Sequence, residues 1–194
     1  MSNLITNGLM FSNGPNDLNV YGSFTLVDNM TLSGGSSISF KSTNTGNTIA
    51  FSGHSSNRDI YFNGVGGEWT MQDSLVQTFF ANTLQIDNGA LNTNDNTIQA
   101  GQFRVNGTAT VNMSSSILRI MRLAEISSSN FNIGTSEVHG ISPSFVGTGF
   151  INSSGNAMML LRSSRAFSQA FITFLALPSR SPTVALSCAK VILN

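Results

Sequence analysis

The chain has 194 residues, an apolar content of 40% and a formal net charge of zero, so it is long enough and greasy enough to close one sizeable core. Charged residues make up only 9%, against the ~25% of ordinary globular domains. Zero net charge excludes a basic footprint for nucleic acid, and 14 Phe among regularly spaced Ile, Leu and Val exclude intrinsic disorder.

The start, "MSNLITNGLMFSNG", has neither a basic segment nor a long apolar one, so it is not read as a signal peptide, and if the chain is exported the signal is expected outside it. No run of 18 apolar residues exists, and no transmembrane helix is expected. From residue 24 onward, short apolar pairs recur: Phe24 and Leu26, Ile38 and Phe40, Ile49 and Phe51, Ile60 and Phe62, Trp69 and Met71. They continue with Leu84 and Ile86, Leu91, Ile98, Phe103 and Val105, Val111 and Met113, Leu118 and Ile120, Phe131 and Ile133. One residue separates the members of each pair, which puts both side chains on one face of a strand. Turn formers fill the gaps, as in "SGGSS", "STNTGN", "NGVGG", "NTNDN" and "SSSN".

Many short strands suit either an antiparallel sandwich or a parallel solenoid. A sandwich places turns every 8–12 residues and favours two-residue hairpins. Here Ile86 and Val105 are 19 residues apart, Leu91 and Val111 are 20, and Ile98 and Leu118 are 20. A repeat of about 20 residues that contains three strands fits one three-sided coil. Residues 1–156 are therefore expected to form an all-β parallel solenoid. Inward apolar residues should stack from coil to coil, with Thr, Ser, Asn and Gln facing water and Gly and Asn at corners that need positive φ. Asn is also expected to form stacked ladders at the corners, by residues the sequence does not specify.

The run "TLSGGSSISFKSTNTGNTIAFSG", with "FNGVGGEWT", "NGALNTND" and "SPSFVG" in order after it, resembles repeat segments of very large secreted or cell-surface proteins of Bacteroidetes and related environmental bacteria. The likeness covers about residues 18–149. It implies a right-handed, single-stranded parallel β-helix, similar to pectate lyases and autotransporter passengers, in an adhesin-like extracellular setting. It implies no catalytic residue and no cofactor.

Signals for chemistry are sparse. "GVGG" at 64–67 is read as a turn, since a phosphate-binding loop needs a helix after it and "EWTMQ" is strand-like. Trp69 is the one candidate ligand contact, as a sugar-stacking ring, against its alternative role as an inner or corner residue. His54, Arg58 and Asp59 in "GHSSNRD" are expected to be solvated on a corner. Asp73, Asp87 and Asp95 would approach one another only across coils, and each has a turn-like setting. The single cysteine, Cys188, forms no intrachain disulfide, and no metal-ligand spacing exists.

These features point to a non-enzymatic structural or adhesive module, with carbohydrate or neighbouring solenoid copies as partners and end-to-end association through open strand edges. Two alternatives are a carbohydrate-active β-helix enzyme of lyase or hydrolase type and a phage tail or fibre component. Residues 157–194 differ in kind: they hold four of the nine basic residues, no acidic residue and none of the 18 glycines. An amphipathic helix over Ala166–Leu177, ending before Pro178, is expected there, in a segment that is a cap or a non-solenoid tail.

Overall fold

Alternation with period two makes each apolar pair a half-buried strand, and the polar turns bend the chain so that each strand pairs mainly with its equivalent about 20 residues away. In the computed structural model the described residues are 17–140 apart from 29, 34–36 and 129. To these are added the strands Leu4–Ile5 and Met10–Ser12 before them, and Ser144–Val146, Ile151–Asn152, Met158–Leu161 and Ala170–Thr173 after. Among these residues there is no helix, and the strands form a parallel β-solenoid with three faces.

The first face stacks Leu18–Val20, Ser37–Phe40, 59–62, 83–86, 102–105, 123–126 and Ser144–Val146. The second stacks Phe24–Thr25, Asn47–Ala50, 69–71, 90–92, Thr110–Asn112, Asn130–Asn132 and Ile151–Asn152. On the third, Leu75–Val76, 97–100, 117–120, Glu137–Gly140 and Met158–Leu161 lie side by side. Five turns carry the chain from Leu18 through Ile38, Ile60, Leu84 and Phe103 to Ala124. The three spacings read from the sequence are registers of the ladder: Ile86 pairs with Val105, Leu91 with Val111 and Ile98 with Leu118.

Inside, equivalent apolar residues lie on one another. Ile38, Ile60, Leu84, Phe103, Leu91, Val111, Ile98 and Leu118 are all buried, and Phe40 stacks on Phe62 with ring centroids 4.8 Å apart. Each fully buried Phe, Ile or Leu contributes about 1.5–3 kcal/mol, and the stack is continuous because the strand spacing of ~4.8 Å brings like residues into contact.

Corners adopt the left-handed conformation at equivalent points. Between the second and third faces Asn94 (φ 52), Ser114 (φ 55) and Gly134 (φ 61) succeed one another at intervals of 20 residues. Gly134 cannot be replaced freely, since a Cβ there would collide with the Ser114 carbonyl oxygen.

Parallel stacking continues to Met158–Leu161, and the chain then returns as Ala170–Thr173, antiparallel to that strand. Four residues of the segment expected to be an amphipathic helix, Ala170–Thr173, are thus a strand, while 166–169 and 174–177 lie outside the described residues. The exposed edge of Met158–Leu161 outweighs the helical spacing of the Phe residues, because an unpaired edge offers a full row of backbone partners.

Candidate functional site

Each corner is a place where the chain can depart from the minimal turn without disturbing the ladder. Between the third and first faces, Gly101 alone separates Ala100 from Gln102, and Met121 and Arg122 separate Ile120 from Leu123. One coil earlier, six residues (77–82) fill the same corner, between Val76 and Thr83. This insertion carries Phe79 and Phe80, which are 50% and 55% exposed, with ring centroids 4.9 Å apart and planes at 58°.

The loop is tightly built. Fully buried Gln77 donates from Nε2 to the carbonyls of Arg58 (2.8 Å) and Thr83 (3.1 Å), and its Oε1 accepts from Gly101 N–H at 3.3 Å. Thr78 N–H donates to Ser56 O at 3.0 Å, Asn82 N–H to Phe79 O at 3.0 Å, and Gln102 N–H to Asn82 O at 2.8 Å. The Gln102 side chain adds a bond to Ala81 O at 3.1 Å. Glycine is required at 101, where a Cβ would meet three loop carbonyls at 2.5–2.7 Å.

Thr83 leads straight onto the outer side of the first face. Asp59, Thr83 and Gln102 form one outward row, and Tyr61, Gln85, Arg104 and Glu125 form the next. Asp59 accepts from Thr83 N–H at 2.7 Å. Gln85 donates to both oxygens of Asp87 at 2.9 Å, and Arg104 pairs with Glu125 at 3.5 Å. The Tyr61 phenol is held above its ordinary ionisation range, first by burial and then by the charge and hydrogen bond of Asp59. The strip is a row of planar, pre-oriented polar groups.

The asparagine ladder expected at the corners lies instead on the second face, at strand positions whose side chains point outward in register. Asn132 donates to Asn112 Oδ1 at 2.6 Å, Asn112 to Asn92 Oδ1 at 2.7 Å, and Asn92 to Glu68 Oε1 at 2.7 Å. Glu68 also borders an open depression of about 280 Å³, floored by Gly66, Gly67 and Gly89.

The candidate read from the sequence is placed elsewhere. Trp69 is fully buried, packed edge-on to Phe62 at 5.3 Å and Phe40 at 6.2 Å, so its ring faces are closed to a sugar. The "GVGG" corner is its lid: added Cβ atoms at Gly64 and Gly67 would lie 2.9 and 2.6 Å from the indole. In place of the expected turn, 64–67 lie within the continuous strand Asp59–Met71, which bends from the first face to the second with Gly66 at φ 77°.

His54, Arg58 and Asp59 do not form a solvated cluster. The His54 ring reaches Val27 O at 3.0 Å and Asp59 turns to Thr83, while Arg58 is buried, at 1% exposed. Arg58 immediately precedes the strand Asp59–Met71, and its carbonyl oxygen accepts from Gln77 Nε2 at 2.8 Å. Nor do the three aspartates converge. Asp73 accepts from the backbone N–H groups of Phe51 and Ser52, Asp95 from Ser115 N–H at 2.9 Å, and Asp87 lies at a different corner with Asn106. They tie neighbouring coils together. No group of three His, Cys, Asp or Glu placed to hold a metal ion occurs among the described residues.

Sequence reasoning passed over Phe79 and Phe80, although "QTFFAN" carried a signal: strand alternation cannot turn two adjacent residues inward together. By its architecture the chain is a parallel β-solenoid. Compared with family models, curated proteins and solved structures, it matches none.

Proposed function

We propose that the chain is a non-enzymatic structural and adhesive module of an extracellular or cell-surface protein: a rigid spacer whose outer faces serve as binding surfaces. The observation that carries this reading is the vertical continuity of the stack, inside and outside at once. Five turns rise roughly 24 Å at ~4.8 Å each, with backbone ladders on three faces and the Glu68–Asn92–Asn112–Asn132 row running along the axis. Such a rod resists bending because the ladders of the first two faces run through all five turns, and that of the third joins them from Leu75 onward. The aspartates support the same reading, being engaged with backbone N–H groups of adjacent coils or with neighbouring amides. Resemblance of residues 18–149 to adhesin-like repeats adds the extracellular setting, with carbohydrate or further solenoid copies as partners and open strand edges as the means of end-to-end association.

A carbohydrate-active enzyme is the second reading, favoured by one observation: Asp87 stands at the end of the same outer face that presents Tyr61 and Arg104. Incubation with pectin, alginate and neutral plant polymers separates the two. No polymer is shortened under the spacer reading, whereas turnover abolished by Asp87→Ala would overturn it. Light scattering on the purified chain addresses the phage-fibre alternative, since a stable trimer would displace the spacer reading.

A further inference from the structure

We propose that the Phe79–Phe80 loop and the adjoining outer strip of Asp59, Tyr61, Gln85 and Arg104 form a binding site for a neutral polysaccharide chain, an inference that rests on the adhesive reading above. The insertion is something the fold does not need. The next coil spans the same stretch, between Gln99 and Gln102, with two residues, whereas here six lie between Val76 and Thr83 and two of them are phenylalanines facing water. Phe79 and Phe80 pack on one another as a contiguous exposed apolar patch, the kind of surface feature that marks an interaction site.

The loop is also pre-organised. Gln77, Gln102 and the close approach to Gly101 fix its backbone at both roots, so little conformational entropy is lost when a ligand docks on the rings. Aromatic faces match the C–H faces of sugar rings, and planar amide, carboxylate and guanidinium groups match pairs of adjacent hydroxyls. The strip supplies all three kinds, spaced by the strand repeat along the axis, so successive sugars of an extended chain would meet successive coils.

Charge selects among polysaccharides. The outer face carries Asp59, Asp87 and Glu125 against Arg104, which already pairs with Glu125, and against exposed Arg122 at the corner beyond, so a small acidic excess remains. A uronate-rich polymer would be repelled, while a neutral one would not. The tilt of 58° between the rings means that they grip neighbouring sugars at an angle and do not form one flat platform.

The test is affinity electrophoresis of the full chain through gels containing xyloglucan, galactomannan, mixed-linkage β-glucan or, as the anionic control, alginate. Retardation by at least one neutral polymer and none by alginate is expected. Phe79→Ala and Phe80→Ala should each weaken it about tenfold, while exposed Val65→Ala on another corner leaves it unchanged. Both Phe variants alter exposed side chains, and an unchanged circular dichroism melt establishes that they fold. Tyr61→Phe, with its ring retained, tests the polar strip separately. Failure to bind any neutral polymer, or binding indifferent to both Phe variants, overturns the proposal and leaves the spacer reading standing. Polymer cleavage would overturn the spacer reading instead. A change in sedimentation of the Phe79→Ala/Phe80→Ala double variant, without a change in retardation, would identify the patch as a contact between copies of this chain and likewise overturn the proposal.

Discussion

Asn112 donates from Nδ2 to Oδ1 of Asn92 at 2.7 Å, across one coil and 20 residues of sequence. Asn112 in turn accepts from Asn132 at 2.6 Å, and Asn92 ends the row on the carboxylate of Glu68. Every amide in this row points the same way, so the ladder has a polarity and terminates on an anion that strengthens it. Asn112→Ala removes one donated and one accepted bond and is expected to destabilise by about 1–2 kcal/mol in urea unfolding. Asn112→Asp is expected to cost more at neutral pH, since it sets a carboxylate against Asn92 Oδ1. That excess should shrink as pH falls toward the ordinary Asp value near 4. Equal stability of the two variants across pH would contradict the ladder.

Trp69 is a packing residue. Trp69→Ala should destabilise by about 3–5 kcal/mol, because the stacked Phe40 and Phe62 and the glycine corners cannot close over the void. Trp69→Phe should cost only about 1–2 kcal/mol, since the buried indole Nε1 has no hydrogen-bond partner to lose. Thermal melts of the two variants check the order.

Gly46 and Gly89 have nearly the same backbone, φ 74° and 77°, but different surroundings. A Cβ at Gly46 meets nothing within 4 Å, whereas at Gly89 it would lie 2.5 Å from Gly67 O and 2.7 Å from Gly64 O. Gly46→Ala is therefore expected to cost about 1 kcal/mol from the left-handed conformation alone, and Gly89→Ala about 3 kcal/mol or more. Denaturant midpoints that fall together would show that the corner yields more readily than its packing implies.

The chain has two tyrosines, so Tyr61 can be titrated alone in a Tyr21→Phe background by phenolate absorbance. Burial and Asp59 raise its pKa in the fold, so folded Tyr61 keeps its proton at a pH where the unfolded chain has begun to lose it. The stabilisation is fully present below the ordinary value near 10 and is lost as pH rises through the folded value. Asp59→Asn should lower the midpoint but leave it above the ordinary range, because burial is the larger cause. An unmoved midpoint would remove Asp59 from the account.

The amino-acid sequence by itself determined the parallel coil. Residues such as Ile86 and Val105, or Leu91 and Val111, recur at a spacing that only a three-strand turn satisfies, and alternation decides which of them face inward. Those are local and periodic properties, legible one segment at a time. What the tertiary structure decided lies at the corners. Trp69 is enclosed because glycines 64, 67 and 89 leave room for its ring. Gln77 is buried where its amide bonds the Arg58 and Thr83 carbonyls, and Phe79 and Phe80 are exposed because their backbone is held against Gly101. Each of these outcomes depends on contacts with a neighbouring coil about 20 residues away, and corner insertions alter which residues meet there. A strand's period survives such insertions, but a corner residue's exposure is set by whichever neighbour the accumulated loop lengths bring beside it.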